Sequence, residues 1–170
     1  MTQRPTQGTN RRGARRWGRG QLGDRKDPYQ PSQKPPEPTV CPDCGAVFHR
    51  GRWQWSAAPE GAHRTRCEAC QRIHDQFPAG TVTLAGKFTA AQAGEIEALV
   101  RHQEKSEKAD HPLNRVMSIE RADDETIVVT TTDIHLPHRI ARAVEKAFGG
   151  HLTEHYEEDG DTVRIAWRQK

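Results

Sequence analysis

Two Cys-x-x-Cys pairs, Cys41-Pro42-Asp43-Cys44 and Cys67-Glu68-Ala69-Cys70, stand 22 residues apart and contain every cysteine of the 170-residue chain. Thiolates spaced in this way can close a tetrahedron around a soft metal ion, so the pattern predicts one structural zinc held by Cys41, Cys44, Cys67 and Cys70. Gly45 suits the tight knuckle that follows the first pair. The interval between the pairs is slightly longer than usual, which predicts an extended hairpin from Arg50 to Arg66. His49, His63 and His74 lie near enough in sequence to stand in for a cysteine. The competing use of four cysteines is two disulfides in a secreted domain. The Arg-rich start has no apolar core of the signal-peptide kind, and no apolar run approaches the length of a membrane span. A soluble cytoplasmic protein is therefore expected, and in a reducing compartment paired cysteines favour metal.

Four thiolates leave no coordination position in which a water could be activated, so the zinc reads as structural. Elsewhere His135-Leu136-Pro137-His138-Arg139 brings two imidazoles to helical spacing, but no carboxylate stands at that spacing beside them, and the segment reads as a solvated helix start. No G-x-S-x-G, phosphate-cradling glycine loop or spaced carboxylate pair occurs. The chain is read as a non-enzyme with no small-molecule substrate.

Charge is distributed unevenly. Residues 1–39 carry nine Lys/Arg, among them Arg11, Arg12, Arg15, Arg16 and Arg19, against three acids. The same stretch is Gly/Pro/Gln-rich and almost without apolar periodicity, so it predicts a disordered basic arm. Asp27-Pro28-Tyr29-Gln30-Pro31 and Lys34-Pro35-Pro36-Glu37-Pro38 predict a stiff, extended spacer at its end. A cationic tail on a mildly acidic body calls for a polyanion: nucleic acid first, an anionic membrane surface second.

Periodicity divides the rest into a zinc ribbon, residues 40–78, and an α/β plait-like domain, residues 79–170. In the second part Thr81–Gly86 alternates as a strand, and Thr89-Ala90-Ala91-Gln92 has the form of a capping box. Its helix is expected to end before His111-Pro112. A hairpin follows, with Leu113, Arg115, Met117 and Ile119 alternating and then the β-branched run from Ile127 to Thr131. Asp133 is the expected N-cap of a second helix, stopped by Gly149-Gly150, and two further strands, 151–156 and 162–167, end the chain. The predicted fold is α+β: a four-cysteine zinc ribbon, then a ferredoxin-like split βαβ unit with an extra strand and its helices on one face of an antiparallel sheet.

The zinc hairpin contains Arg50-Gly51-Arg52-Trp53-Gln54-Trp55. If extended, it sends Trp53 and Trp55 to one face and the arginines to the other. Exposed indoles would stack on unpaired bases, with Arg50 and Arg52 on phosphate; buried indoles would be the ribbon's own small core. Both readings stand at this point. The second helix also presents a basic face of His138, Arg139, Arg142 and Lys146, but the strands lack the aromatic pairs of an RRM surface. These features favour an RNA-binding or ribosome-associated protein, with a protein-binding, transcription-associated zinc-ribbon adaptor as the alternative and no membrane partner.

Cys41-Pro42-Asp43-Cys44-Gly45, Cys67-Glu68-Ala69-Cys70, His111-Pro112-Leu113, Thr130-Thr131-Thr132-Asp133 and Phe148-Gly149-Gly150 together resemble a small bacterial family of zinc-ribbon proteins over residues 27–170. More distantly, a zinc ribbon followed by a strand, an Ala/Arg helix and a Phe-Gly-Gly stop is similar to part of the large-ribosomal-subunit adaptor family of archaea and eukaryotes, the Nmd-three proteins. That resemblance implies a role on ribosomes. The adaptor family carries four Cys-x-x-Cys pairs and further domains, so only Cys41, Cys44, Cys67 and Cys70 carry over, as zinc ligands.

Overall fold

Small strands wrap the cysteine pairs because the module is too short to build a core from helices. In the computed structural model, which describes residues 27–123, 125–157 and 161–170, β1 (Thr39–Val40), β2 (Val47–His49), β3 (Arg52–Gln54) and β4 (His63–Arg64) form a sheet in the order β3-β2-β1-β4. The helix α1 (Glu68–Asp75) follows, with Cys67 as its N-cap residue. The second cysteine pair therefore opens a helix. Phe48 and Trp53 meet edge to face, ring centroids 5.5 Å apart, and pack with Ala46, Ala69 and the cysteines in a small core.

The prolines before Thr39 predict a stiff, extended spacer between arm and body; residues 27–39 instead fold against the module. The Asp27 carboxylate accepts from Arg72 Nη2 at 2.6 Å, and the Arg72 side chain is almost fully buried. Tyr29 lies over the same guanidinium, 4.4 Å from ring centroid to Cζ, and beside Phe77 at 5.7 Å. Glu37 accepts the backbone N–H groups of Arg50 and Gly51, both at positive φ in the hairpin tip. A buried guanidinium and two amides of the hairpin tip supply the reason for the strap. The expected contacts of Arg11, Arg12, Arg15, Arg16 and Arg19 lie outside the described residues.

The second part is an α+β layer. It runs β5 (Gly80–Ala85), α2 (Ala90–Asp110), β6 (Val116–Asp123), β7 (Thr126–Thr131), α3 (Leu136–Phe148), β8 (His151–Tyr156) and β9 (Val163–Arg168). Both halves of the predicted capping box form at α2: Thr89 Oγ1 accepts from Gln92 N–H, and the Gln92 side chain accepts from Thr89 N–H. Asp133 caps α3 from outside its first turn, its Oδ2 accepting the N–H groups of His135 and Leu136 at 2.7 and 2.9 Å.

The sheet order is β6-β7-β5-β9-β8. The two split crossovers of a ferredoxin-like unit are present, and the extra strand enters between the first strand and the one after α3. As a result β9 runs parallel to β5, and the sheet is mixed rather than antiparallel. Alternation along β5, β7 and β9 buries Val82, Leu84, Ile127, Val129, Ile165 and Trp167 under α2 and α3. The close passage of α3 over β5 requires glycine: a Cβ at Gly80 would collide with the Pro137 ring and the Thr131 hydroxyl.

Candidate metal centre

The four cysteine Sγ atoms all lie within 4.8 Å of one another, and no disulfide joins them. Thiolates about 2.3 Å from a tetrahedral metal ion stand about 3.8 Å from each other; Cys44 Sγ and Cys67 Sγ are 3.8 Å apart. The donor set and its spacing therefore fit a four-coordinate metal ion. The first pair is shaped by a turn in which Gly45 N–H donates to Cys41 O at 2.9 Å and Cys41 N–H to Ala46 O at 2.8 Å, with Gly45 at φ 78°. The second pair is held by the first turn of α1, where Cys67 N–H donates to Cys41 Sγ at 3.4 Å. Cys41, Cys67 and Cys70 are buried, and Cys44 lies closest to solvent. Four protein ligands would fill a tetrahedral shell and leave no coordination position open.

Arg115 completes the site from the other part of the molecule. It is buried just before β6, with its Nη2 3.0 Å from Cys44 Sγ and 3.7 Å from Cys67 Sγ, and its Nη1 3.2 Å from Cys70 Sγ. Pro112 O accepts from its Nε at 2.6 Å, and Thr132 Oγ1 accepts from its backbone N–H at 2.9 Å. Leu113 packs on the cysteine core. The turn from Pro112 to Arg115 is thus a plug that joins the α/β layer to the metal module. A divalent ion with four thiolates carries a net charge of about −2, and one buried guanidinium offsets half of it.

In the absence of metal the same environment separates the thiols. Burial raises Cys70, partly opposed by Arg115, to about 11. Burial also acts to raise Cys41, but hydrogen bonds from the backbone of Cys67, Cys44 and Asp43 outweigh it and bring that thiol down to about 7. Burial would discharge Arg115, yet its hydrogen bonds to Cys44 and Cys70 hold it protonated beyond the usual arginine range.

The other sequence-predicted residues divide. Trp53 is only 8% exposed and belongs to the module's core. Its assignment as a base-stacking residue is corrected, because the ribbon has few other large apolar groups to bury. Trp55, beyond the end of β3, is 41% exposed and its Nε1 donates to Lys108 O at 2.6 Å. It is tied to α2 and is not on Trp53's strand. Arg50 and Arg52 are exposed at the β2–β3 tip. His49, His63 and His74 are not in the cysteine cluster. On the basic face of α3, His138 Nδ1 is 3.2 Å from Glu154 and its Nε2 2.9 Å from the Tyr156 hydroxyl, while Arg139 pairs with Glu107 at 2.7 Å.

Sequence reasoning missed Arg115. The available signal was a single arginine at an alternating position otherwise filled by Leu113, Met117 and Ile119. It also missed α1, whose eight residues are too few to show a period. No protein-family model, curated protein or solved structure matches this chain.

Proposed function

We propose that the chain is a non-enzymatic RNA-binding protein of the cytoplasm, associated with the ribosome, in which one structural zinc ion holds the folded body together. Zinc is the metal of choice for four closed thiolates with no redox task. Arg115 neutralises part of its shell, and Cys41, Cys44, Cys67 and Cys70 hold it. The observation that carries the functional reading is charge: nine cations against three acids in residues 1–39, attached to a body whose own metal site offers no chemistry. Arg50 and Arg52 extend the cationic character to an exposed tip of the module. No helix among the described residues is long and apolar enough to cross a membrane.

Protein isolated at low salt should carry nucleic acid, seen as a high 260-to-280 nm absorbance ratio that ribonuclease removes. In lysate sedimented through sucrose it should travel with ribosomal subunits and return to the top of the gradient after a high-salt wash. Isolation free of nucleic acid, with a protein partner in stoichiometric amount, would replace this reading with the adaptor one.

A further inference from the structure

The five-stranded sheet has both helices of its layer on one face; on the other, the end of α1 and Pro78 lie beside β6 and β7 at a hollow lined by Ile73, Ser118, Glu120 and Thr130, while Arg164, Ala166 and Arg168 of β9 and His151, Thr153 and His155 of β8 are exposed. Register defines what that open face offers. Arg168 of β9 lies between Ala85 of β5 and His151 of β8, and four residues along the strand Arg164 lies between Thr81 and His155. Between these two rows stand only small side chains, Thr83, Ala166 and Thr153. At a strand rise of about 3.3 Å per residue, the two Arg/His rows are about 13 Å apart. The face is therefore a shallow trough with a floor of hydroxyl and methyl groups and cationic sides.

Its two ends differ. Beside Arg164, Glu157 accepts from Arg164 Nε at 3.1 Å. At the other end, β5 and β9 finish side by side, and Lys87, Arg168 and Lys170 surround a hollow of about 350 Å³ whose lining includes one acid, Glu125. His151 extends this corner on the same face. Among the described residues no Phe, Tyr or Trp stands on the open face, so it gives unpaired bases no platform on which to stack. Cations and hydroxyls without aromatics suit a partner that presents phosphates and 2′-hydroxyls while its bases are turned inward.

We infer that the folded body binds the sugar–phosphate backbone of double-helical RNA along this trough, anchored by Lys87, Arg168 and Lys170. The inference rests on the RNA-binding reading and assigns the body a site separate from the basic arm.

The test measures affinity of the full-length, zinc-loaded protein for an RNA hairpin and for an unstructured RNA of equal length, by fluorescence anisotropy across a salt series. The wild type should favour the hairpin. Lys87→Glu with Arg168→Glu should weaken hairpin binding roughly tenfold or more and flatten the log–log salt slope by about 0.9 per lost contact, with metal content unchanged. Glu120→Lys removes the acid that faces Val128 at the far side of the same face. It should tighten hairpin binding, and it keeps the test decisive should the charge reversals perturb folding. Hairpin affinity unaltered by the double variant and by Glu120→Lys would overturn the inference and leave the RNA-binding reading intact. Equal affinity for both RNAs, or stronger capture by phosphatidylserine vesicles, would overturn the assignment of duplex RNA to this face. Failure of the wild type to bind either RNA would overturn both readings.

Discussion

Arg115 Nη2 stands 3.0 Å from Cys44 Sγ across 71 residues of sequence. The contact ties the first cysteine pair of the metal module to the residue just before β6, and its strength depends on a buried cation meeting anionic sulfur. Hydrogen bonds to charged groups contribute about 1.5–3 kcal/mol each, because the charge left behind would otherwise be unsolvated. Removing this guanidinium takes a donor from Cys44, Cys67 and Cys70 together.

Arg115→Met is therefore expected to lower metal affinity about 10- to 100-fold, the usual effect of losing an outer-shell partner. Arg115→Lys should fall between, since an ammonium cannot reach Cys44 and Cys70 with the two prongs of a guanidinium. Competition against a chromophoric chelator measures this directly. Equal affinities in all three proteins would show that Arg115 merely fills space.

Removing the metal should unfold the module and its strap while leaving most of the α/β layer intact. Metal binding and folding of so small a unit are one equilibrium, whereas Val82, Ile140 and Trp167 belong to a core of their own. Hydrogen exchange of the chelated protein should show protection lost across residues 39–75 and retained in β5, β7 and β9. Uniform retention of protection would contradict this.

Trp53→Ala and Trp55→Ala should part company. The first deletes a buried indole against Phe48 and should destabilise the module by about 3–5 kcal/mol, with loss of metal. The second removes a half-exposed ring and one hydrogen bond to Lys108 O, at about 0.5–1.5 kcal/mol, and should keep its metal. Metal analysis of the two purified variants distinguishes them; retention of full metal by the Trp53 variant would sink the core assignment.

Asp133 gives a pH signature. Burial raises its carboxyl above the ordinary value, against the lowering effect of the Leu136 and His135 N–H groups, and its Oδ1 is buried with no hydrogen-bond partner. Since the folded state holds this proton more tightly than the unfolded chain, its stabilising contribution is complete below the ordinary carboxyl pKa. It is lost as pH rises through the raised value. Asp133→Asn should therefore remove this fall while preserving an acceptor for the cap. Asp133→Ala loses the cap and should cost about 1 kcal/mol. Denaturant midpoints of the three proteins from about pH 4 to 7 test the sign; a wild-type contribution that grows with pH over that window would refute it.

The strap makes a contrast between two truncations. Removing residues 1–26 should leave stability unchanged. Removing residues 1–38 takes away Asp27, Tyr29 and Glu37, leaves the buried Arg72 charge without its carboxylate, and should lower the midpoint of module unfolding. Equal midpoints would return residues 27–38 to the role of a spacer.

How much of this was readable beforehand follows from the range of the interactions. The cysteine set, the capping box at Thr89, the stop at Gly149 and the strands 151–156 and 163–168 depend on neighbours within a few residues, and they were legible. The strap was not, because Pro28, Pro31 and Pro35 report local stiffness while Arg72, the group that binds Asp27, lies 45 residues away. The parallel β5–β9 pair was also hidden, since alternation along 163–168 states which side chains point inward and says nothing about which strand is alongside. Arg115 lay in plain view as one charge in an apolar row, but its partners could be recognised only once the cysteines had been brought to it.

The central claim, RNA binding by a basic arm on a metal-held body, is tested most directly by the salt dependence of RNA affinity for the full chain and for the chain lacking residues 1–26. Each phosphate neutralised on a single strand contributes about 0.7 to the log–log slope. If about half of the arm's cations engage, truncation should flatten the slope by several units and leave only the weaker binding of the body. The same affinity and the same slope in both proteins would contradict the account.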